Sequence, residues 1–282
     1  MSRTAYVNGQ FLPFAEAKIP IDDRGFLFAD GIYEVSAVLD GKLVDNDAHL
    51  ARLDRCLREI RITNPHSAAQ WTALQAELVR RNDLREGTVY IEVTRGAAER
   101  DFTFPANATP TVVMFTQAKT IVDAPLVRTG ANVISVPDLR WARRDIKSVA
   151  LLAQVLAKQA AAEAGVAEAW MVEDGFVTEG GSSTAFIVTR TGAIVTRPLS
   201  RDILPGVTRR AVLALSAERG LAVEERLFTL EEALAAAEAF YTSASSFVMP
   251  VVAIDGQTIG DGRPGPHTTR LRELYIAMAR AI

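Results

Sequence analysis

The sequence predicts a mixed α/β fold in two domains. Its 282 residues suffice for one large domain or two ordinary ones, and the 49% of them that are hydrophobic can bury a large core. Strand-like and helix-like patterns alternate along both halves of the chain, with no internal repeat. The stretch around 117–128 is polar, so we expect an N-terminal domain at 1–118, a linker at 119–129 and a C-terminal domain at 130–282 that carries the lysine discussed below.

The first half is predicted to begin with two β-hairpins. Asn-Gly and Asp-Gly pairs between apolar runs favour two-residue turns, and they occur at Asn8-Gly9 and Asp40-Gly41. Apolar residues at helical spacing predict a helix from about Asp47. The remaining elements predicted for this half are a helix at 67–81 and strands at 88–95 and 109–117.

The second half is predicted to open with a strand at 131–136, followed by a helix that runs from just after Lys147 to a glycine stop at Gly165. The stretch 169–196 contains two turn signals and predicts a three-stranded meander. Its turns are expected at Asp174-Gly175 and Thr191-Gly192. Later helices are expected near Val207, at Thr229 with Glu232 completing a capping box, and near Pro266.

Composition and charge exclude several classes of function. A formal net charge of −3 with interspersed signs argues against a nucleic-acid partner. The single cysteine, Cys56, excludes an intrachain disulfide, and its apolar helical neighbours predict a packed thiol. His49, His66 and His267 lack metal-ligand spacing, so no metal is expected. The start, MSRTAYVNGQ, lacks the apolar core of a signal peptide and no apolar run is long enough to span a membrane, so we expect a cytoplasmic protein.

One lysine has an unusual sequence context. In RRDIKSVALLAQVLAKQAA, residues 143–161, Lys147 is followed by ten uncharged residues. At a helix start beside Arg143 and Arg144, positive surroundings would favour the neutral amine. A neutral amine is the nucleophile that carbonyl cofactors such as pyridoxal phosphate require. A solvated lysine before a helix is the simpler interpretation of this stretch taken alone.

Two further segments support a cofactor site. In FVTEGGSSTAF, Glu179 ends a strand and precedes two glycines and three hydroxyl residues, which suits a turn where backbone approaches a ligand and hydroxyls donate hydrogen bonds to it. A carboxylate there would keep a pyridine nitrogen protonated. In ILPGVTRRAV, Gly206, Val207 and Thr208 open a helix and offer N–H groups and a hydroxyl to a phosphate. Taken singly, each segment is also compatible with an ordinary turn or helix start.

Six segments together resemble the fold-type IV pyridoxal-phosphate enzymes, and among these most closely the D-amino-acid aminotransferases. In chain order they are DRGFLFADGIYEV, HLARL, RDFTFP, RWARRDIKSVALL, VTEGGSSTAF and LPGVTR. The resemblance implies two α/β domains, pyridoxal 5′-phosphate as cofactor and a homodimer. It also implies ping-pong transfer of the amino group of D-amino acids, of the D-alanine type, to a 2-oxo acid such as 2-oxoglutarate.

The resemblance assigns roles to single residues. Lys147 would form the Schiff base and shuttle protons, Glu179 would pair with the pyridine nitrogen, and Arg52 would grip the phosphate. The full set implied for the cofactor is Arg52, Lys147, Glu179, Leu204, Val207, Thr208 and Ser243. Where the family often has threonine after that serine, this chain has Ala244.

The substrate pocket is expected to include Tyr33, Val35, Arg100 and Phe102. Related enzymes hold the substrate carboxylate with a tyrosine, an arginine and a histidine, the last two from the partner subunit. Tyr33 and Arg100 match, whereas Phe102 stands at the histidine position and would widen the pocket toward apolar substrates. Three alternatives therefore stay open: an (R)-amine or branched-chain transaminase, an aminodeoxychorismate lyase, and a binding protein without catalysis.

Overall fold

The computed structural model describes residues 3–281, which fall into two compact units. The first contains residues 3–120 and 146–150, and the second contains residues 121–145 and 151–281. The first unit's long stretch thus ends inside the segment expected to be a linker. Residues 146–150 differ from the expected C-terminal assignment: their backbone pairs with the strand that carries Tyr33, because the Tyr33 N–H donates to the Lys147 carbonyl over 2.9 Å.

The first unit is built on one antiparallel sheet with the strand order β2-β1-β6-β5-β3-β4. Its strands are β1 (Thr4–Val7), β2 (Gln10–Pro13), β3 (Gly31–Leu39), β4 (Lys42–Leu43), β5 (Glu86–Thr94) and β6 (Thr111–Ala118). Its α-helices are α1 (Arg24–Phe28), α2 (Asn46–Glu59) and α3 (Ala68–Arg81), with a short 3-10 helix at Phe14–Glu16. The core lies between α2, α3 and the sheet, around Leu53, Leu57, Trp71, Leu78 and Ile91.

The local signals of this unit are confirmed. The hairpins turn at Asn8-Gly9 and Asp40-Gly41, where all four residues adopt the positive φ that two-residue hairpin turns require. Helix α2 begins one residue before Asp47. Helix α3 begins with a capping box, in which the Ser67 hydroxyl and the Gln70 side chain satisfy each other's backbone N–H groups.

The second unit is built on a mixed sheet with the strand order β12-β11-β10-β13-β14-β7-β8-β9, and β15 pairs with β14. Its strands are β7 (Ala131–Pro137), β8 (Glu168–Glu173), β9 (Phe176–Gly180), β10 (Thr184–Val188), β11 (Ile194–Thr196), β12 (Val223–Glu225), β13 (Glu238–Ser243), β14 (Phe247–Ile254) and β15 (Gln257–Thr258). Its helices are α4 (Leu126–Thr129), α5 (Leu152–Glu163), α6 (Val207–Glu218), α7 (Leu230–Leu234) and α8 (Pro266–Arg280). Buried Trp170, Ile187, Phe228 and Ile254 mark one of its cores.

The helix starts predicted near Val207, Thr229 and Pro266 are confirmed, and the capping box with Glu232 is present. The predicted three-stranded meander is wrong, although both of its turns form. The Asp174-Gly175 turn joins β8 to β9 and the second turn joins β10 to β11. Strand β10 does not add to β9 because its two edges are taken by β11 and β13.

Candidate active site

Lys147 is held by its backbone next to β3 and α2. Its carbonyl accepts from the Tyr33 N–H, and its own N–H points to the Cys56 sulfur at 3.4 Å. Helix α5 begins only at Leu152, so the expectation that Lys147 lies at a helix start is wrong. The physical reason is that the chain after the lysine first bonds to β3: Val149 N–H donates to the Gly31 carbonyl over 3.1 Å, which delays the helix.

The Lys147 amine differs from that of Lys158 in having no carboxylate partner within residues 3–281. Within residues 3–281 its Nζ makes no hydrogen bond or ion pair, and it lies 3.9 Å from the centroid of the Tyr33 ring. By contrast, the Lys158 amine is 3.1 Å from the Glu168 carboxylate and donates to the Ala167 carbonyl. The sequence predicts that Arg143 and Arg144 make the surroundings of the amine positive. Both guanidinium groups are paired with carboxylates, those of Asp145 and Glu173. An amine without a carboxylate partner is available to react with a carbonyl.

Arg52 belongs to a buried ionic cluster of the first unit. Its Nε and Nη2 donate to the two oxygens of Glu34 over 2.9 and 2.7 Å, and His49 Nδ1 lies 2.9 Å from the same carboxylate. Burial alone would raise the pKa of Glu34, but the Arg52 and His49 charges outweigh it and hold the pKa well below its usual range. Glu34 and His49 were not among the expected site residues. Glu34 lies on the opposite face of β3 from the expected residues Tyr33 and Val35.

Cys56 is a packed thiol, as predicted. Its side chain is buried in the core of the first unit, and burial raises the pKa of the thiol. It lies one helical turn after Arg52 on α2. The contact between the Cys56 sulfur and the Lys147 N–H therefore places the lysine backbone beside the face of α2 that carries Arg52.

Glu179 is buried at the end of β9 in the second unit. Its Oε1 accepts from a guanidinium N–H of Arg140 and from the Leu204 N–H, the latter over 3.1 Å. Within residues 3–281 its Oε2 accepts no hydrogen bond. Burial raises the pKa of Glu179, and the charge of Arg140 opposes that rise. One oxygen is thus fixed by the protein, and the other is available to a ligand.

The residues after Glu179 form a turn that is bonded to a second buried carboxylate, that of Glu168. The hydroxyls of Ser182 and Ser183 donate to the buried Glu168 carboxylate over 3.4 and 3.1 Å. A Cβ at Gly180 would lie 2.1 Å from the Ser183 hydroxyl, so glycine is required there by the chain itself. These residues anchor the turn that carries Glu179 by bonding to Glu168 at the start of the paired strand β8. No local motif in the sequence indicates this contact.

The start of α6 has the properties of an anion site. No side chain caps its first turn, in which Val207 and Thr208 are buried and the N–H groups have no acceptor within the helix. The Thr208 hydroxyl is buried without any hydrogen-bond partner within residues 3–281. A buried hydroxyl without a partner is costly, so this orphaned group fits a site that a phosphate oxygen would complete.

Ser243 ends β13 in a turn rich in hydroxyls. Its Oγ lies 2.6 Å from the Ser246 Oγ and 3.4 Å from the Ser245 Oγ. These two serines, which the sequence expectations left out, provide hydroxyl groups despite the alanine at position 244. The turn also holds Phe247 at φ +57°, an uncommon backbone conformation for an aromatic residue that is enriched at functional sites.

The expected substrate residues occupy two places in the first unit. Tyr33 and Val35 lie on the same face of β3, and the Tyr33 ring stacks on Tyr90 with 5.6 Å between centroids. Arg100 and Phe102 lie on the loop after β5, where Phe102 is 78% exposed. The Arg100 guanidinium is 5.7 Å from the Phe102 ring centroid. No contact brings Arg100 to Tyr33 within the part of the chain that the structure describes.

Residues 3–281 contain no group of three or more histidine, cysteine, aspartate or glutamate side chains arranged to hold a metal ion. In the same residues, no helix is long and apolar enough to cross a membrane.

Comparison with known proteins identifies the family. The family model of amino-transferase class IV matches residues 31–254, which is most of the chain. The chain belongs to amino-transferase class IV. This class IV aminotransferase is 42% identical to a D-alanine aminotransferase of Bacillus licheniformis over 94% of its own length and 93% of the relative's. It is 37% identical to a D-alanine aminotransferase of Staphylococcus haemolyticus, over 95% of each chain.

Solved structures confirm the fold of this class IV aminotransferase. The Escherichia coli branched-chain amino acid aminotransferase matches with a TM-score of 0.92 and 21% identity, covering 99% of this chain and 95% of that one. A branched-chain aminotransferase from the thermophilic archaeon Thermoproteus uzoniensis, solved with norvaline, matches with a TM-score of 0.88 and 25% identity, covering 100% and 96% of the two chains. The expected mixed α/β fold of fold-type IV enzymes is confirmed.

Class IV aminotransferases depend on pyridoxal 5′-phosphate, so the expected enzyme class and cofactor are confirmed. The residues present fit this cofactor in three respects. Lys147 offers an amine without a carboxylate partner, Glu179 offers an oxygen without a donor, and the start of α6 offers uncapped N–H groups with the orphaned Thr208 hydroxyl.

Proposed function

We propose that this class IV aminotransferase transfers the amino group of D-amino acids, of the D-alanine type, to a 2-oxo acid such as 2-oxoglutarate by a ping-pong mechanism. The observation that carries the proposal is the 42% identity to a D-alanine aminotransferase across almost the whole length of both chains. The site geometry supports the same chemistry, because each part that a transaminase requires is present as a named group. Cytoplasmic location is part of the proposal.

Lys147 is assigned two tasks. Its amine would hold the cofactor covalently at the carbonyl group, and the absence of a carboxylate partner within residues 3–281 supports that role. The same amine would also act as the general base and acid that moves the proton at the donor's Cα. Bound pyridoxal 5′-phosphate supplies the electron sink and carries the amino group between the half-reactions.

Glu179 and the phosphate residues fix the cofactor's two ends. Glu179 would hold the proton at the ring nitrogen through Oε2, and Leu204, whose N–H donates to Oε1, is assigned to the ring. Arg52, the N–H groups of Val207 and Thr208, and the hydroxyl of Ser243 are assigned to the phosphate. The orphaned Thr208 hydroxyl supports this assignment, because a phosphate oxygen would supply its missing partner.

Substrate recognition is assigned to Tyr33, Val35, Arg100 and Phe102 in a homodimer. We infer that the loop around Arg100 of a second copy completes the site. The exposure of both Phe102 and Phe104 on this loop supports the inference, because clustered apolar side chains at the surface mark interaction sites. Arg100 would then hold the substrate carboxylate. Because Phe102 stands where related enzymes have a histidine, that carboxylate would receive one hydrogen-bond donor fewer.

A second candidate is a transaminase of branched-chain amino acids or (R)-amines, with an aminodeoxychorismate lyase as a further member of the same group. The branched-chain aminotransferase of Thermoproteus uzoniensis, 25% identical over almost the whole length of both chains, supports it. Phe102 supports it through its apolar side chain. A binding protein without catalysis is not favoured, because both Lys147 and Glu179 are present.

A half-reaction panel separates these candidates. The cofactor-loaded enzyme is mixed with one amino donor at a time, and conversion of the cofactor to its amine form is followed by absorbance. The donors are D- and L-alanine, D- and L-leucine and an (R)-arylalkylamine. We expect D-alanine to react fastest. Fastest conversion by L-leucine or by the amine would overturn the D-amino-acid proposal and favour the second candidate.

A further inference from the structure

An ion-pair chain of five residues extends from Glu179 in the second unit. The order is Glu179, Arg140, Asp138, Arg144 and Glu173, with 3.3 Å between Arg144 and Asp138 and 2.6 Å between Arg144 and Glu173. The first four side chains are at most 6% exposed, and Glu173 is 39% exposed. Three carboxylates and two guanidinium groups sum to a formal charge of −1, so one cation at the buried end would neutralise the chain.

Arg140 is fixed in one orientation by Asp138. Its Nε and Nη2 donate to the two oxygens of Asp138 over 2.9 and 2.6 Å, which is the bidentate geometry that arginine forms with a carboxylate. The Thr178 hydroxyl holds the same carboxylate over 2.7 Å. With two nitrogens used in this way, the remaining Nη1 of Arg140 is directed to Oε1 of Glu179.

The charge of Arg140 acts against the effect of burial on Glu179. Burial raises the pKa of Glu179, and Arg140 lowers it both by its charge and by its hydrogen bond. Removal of that charge would leave a buried carboxyl group with only the Leu204 N–H to stabilise its ionised form. The carboxylate state of Glu179 therefore depends on Arg140 more than on any other residue in its surroundings.

We propose that Arg140 is a positioning residue that, fixed by Asp138, holds Glu179 as a carboxylate through Oε1 and leaves Oε2 to a protonated ring nitrogen. The inference rests on the proposed function, which assigns Glu179 to that nitrogen. Without the arginine charge, the proton shared by the nitrogen and the carboxyl group moves from the nitrogen to Oε2. The pair formed by the ring nitrogen and Glu179 keeps the same single proton, which is bound to Oε2 instead of the nitrogen. A merely structural Arg140 would brace the turn after β7 and leave the proton where it is.

The test is ¹⁵N NMR of holoenzyme loaded with ring-¹⁵N pyridoxal 5′-phosphate, because the nitrogen resonance reports its protonation without turnover. Arg140→Gln removes the charge but keeps a polar side chain of similar length. Arg140→Lys keeps the charge but cannot bind Asp138 and Glu179 with the same fork. The matched control is Arg95→Gln, since Arg95 is similarly buried and binds Asp30 through a fork of 2.7 and 2.9 Å in the first unit.

We expect the protonated-nitrogen resonance in wild type and in Arg95→Gln, the neutral-nitrogen resonance in Arg140→Gln, and an intermediate position in Arg140→Lys. A wild-type resonance in Arg140→Gln would overturn the inference. Where that variant does not fold, Arg140→Met, which also removes the charge, takes its place, and a wild-type resonance in it would overturn the inference. Glu179→Gln separates the two levels of the argument: if it too leaves the resonance unchanged, the assignment of Glu179 to the ring nitrogen fails, and with it the inference built on it.

Discussion

Replacement of Glu34 by glutamine should destabilise the cofactor-free enzyme severely. The side chain of Glu34 is fully buried, and those of its partners Arg52 and His49 are 9% and 2% exposed. Removal of the carboxylate charge takes away the counter-charge that Glu34 supplies to the buried Arg52 guanidinium, and loss of one partner from a buried ion pair costs about 3–5 kcal/mol. At roughly 2–4 °C per kcal/mol for a chain of this size, the melting temperature should fall by roughly 6–20 °C.

The matched control is Glu77→Gln. Glu77 also accepts from two arginines, Arg80 and Arg81, over 2.7–2.8 Å, but these pairs lie on the exposed face of α3. Water and salt screen such pairs, so we expect a much smaller change in melting temperature. Differential scanning fluorimetry of the cofactor-free proteins measures both variants. Equal losses in Glu34→Gln and Glu77→Gln would refute the reasoning that burial determines the cost.

The effect of Glu34 on stability should also depend on pH. Its pKa in the folded protein is held well below the ordinary value of 4.5, because Arg52 and His49 stabilise its charge. A depressed folded pKa contributes stability that is fully present above pH ~4.5 and is lost as the pH falls toward the folded pKa. The difference in unfolding free energy between wild type and Glu34→Gln should therefore be largest at neutral pH and shrink below about pH 4.5. A difference that grows on acidification would contradict this account.

Three further predictions concern ligand binding. Thr208→Val should weaken cofactor binding by about tenfold to a hundredfold, the equivalent of one charged hydrogen bond. The melting temperature of the cofactor-free protein should stay unchanged or rise, because the hydroxyl has no partner there. A fluorescence titration measures the affinity and a thermal scan the melting temperature, and a lower melting temperature with unchanged affinity would speak against a phosphate role. Arg100→Ala should raise KM for D-alanine by about tenfold to a hundredfold and leave an (R)-arylalkylamine nearly unaffected, whereas equal losses of kcat/KM for the two substrates would mean that the arginine shapes the loop. Phe102→His should lower KM for D-amino acids by adding a donor to the carboxylate, and steady-state kinetics showing no change would argue against this position in the trap.

The sequence predicted the elements whose determinants are local. The turns at Asn8-Gly9 and Asp40-Gly41 and the capping box of Thr229 with Glu232 depend on residues within four positions of each other, and all three form as expected. The start of α5 depends instead on a partner far away in sequence. Because Val149 bonds to Gly31, the helix begins after the lysine stretch, although the apolar pattern favours an earlier start.

The candidate site was predictable to a similar degree and for the same reason. Lys147 and Glu179 stand in recognisable short motifs. Arg140, which binds Glu179 across 39 positions, and Glu34, which binds Arg52 across 18, have no local signal beyond their charge. The Glu168 anchor of the Ser183 turn is likewise a long-range contact. Such ion pairs are set by the arrangement of strands in the sheet, which the residue pattern of one segment does not encode.

The most direct test of the central claim is to locate the lysine that binds the cofactor. The chain contains five lysines, at positions 18, 42, 119, 147 and 158, so borohydride reduction of the holoenzyme followed by peptide mass spectrometry gives an unambiguous position. Four of them are exposed at the surface or paired with a carboxylate, whereas Lys147 offers its amine to a ligand. We predict the phosphopyridoxyl label on Lys147 alone, and none after Lys147→Ala. A label on any other lysine of the wild-type enzyme, or the absence of a label, would contradict the account.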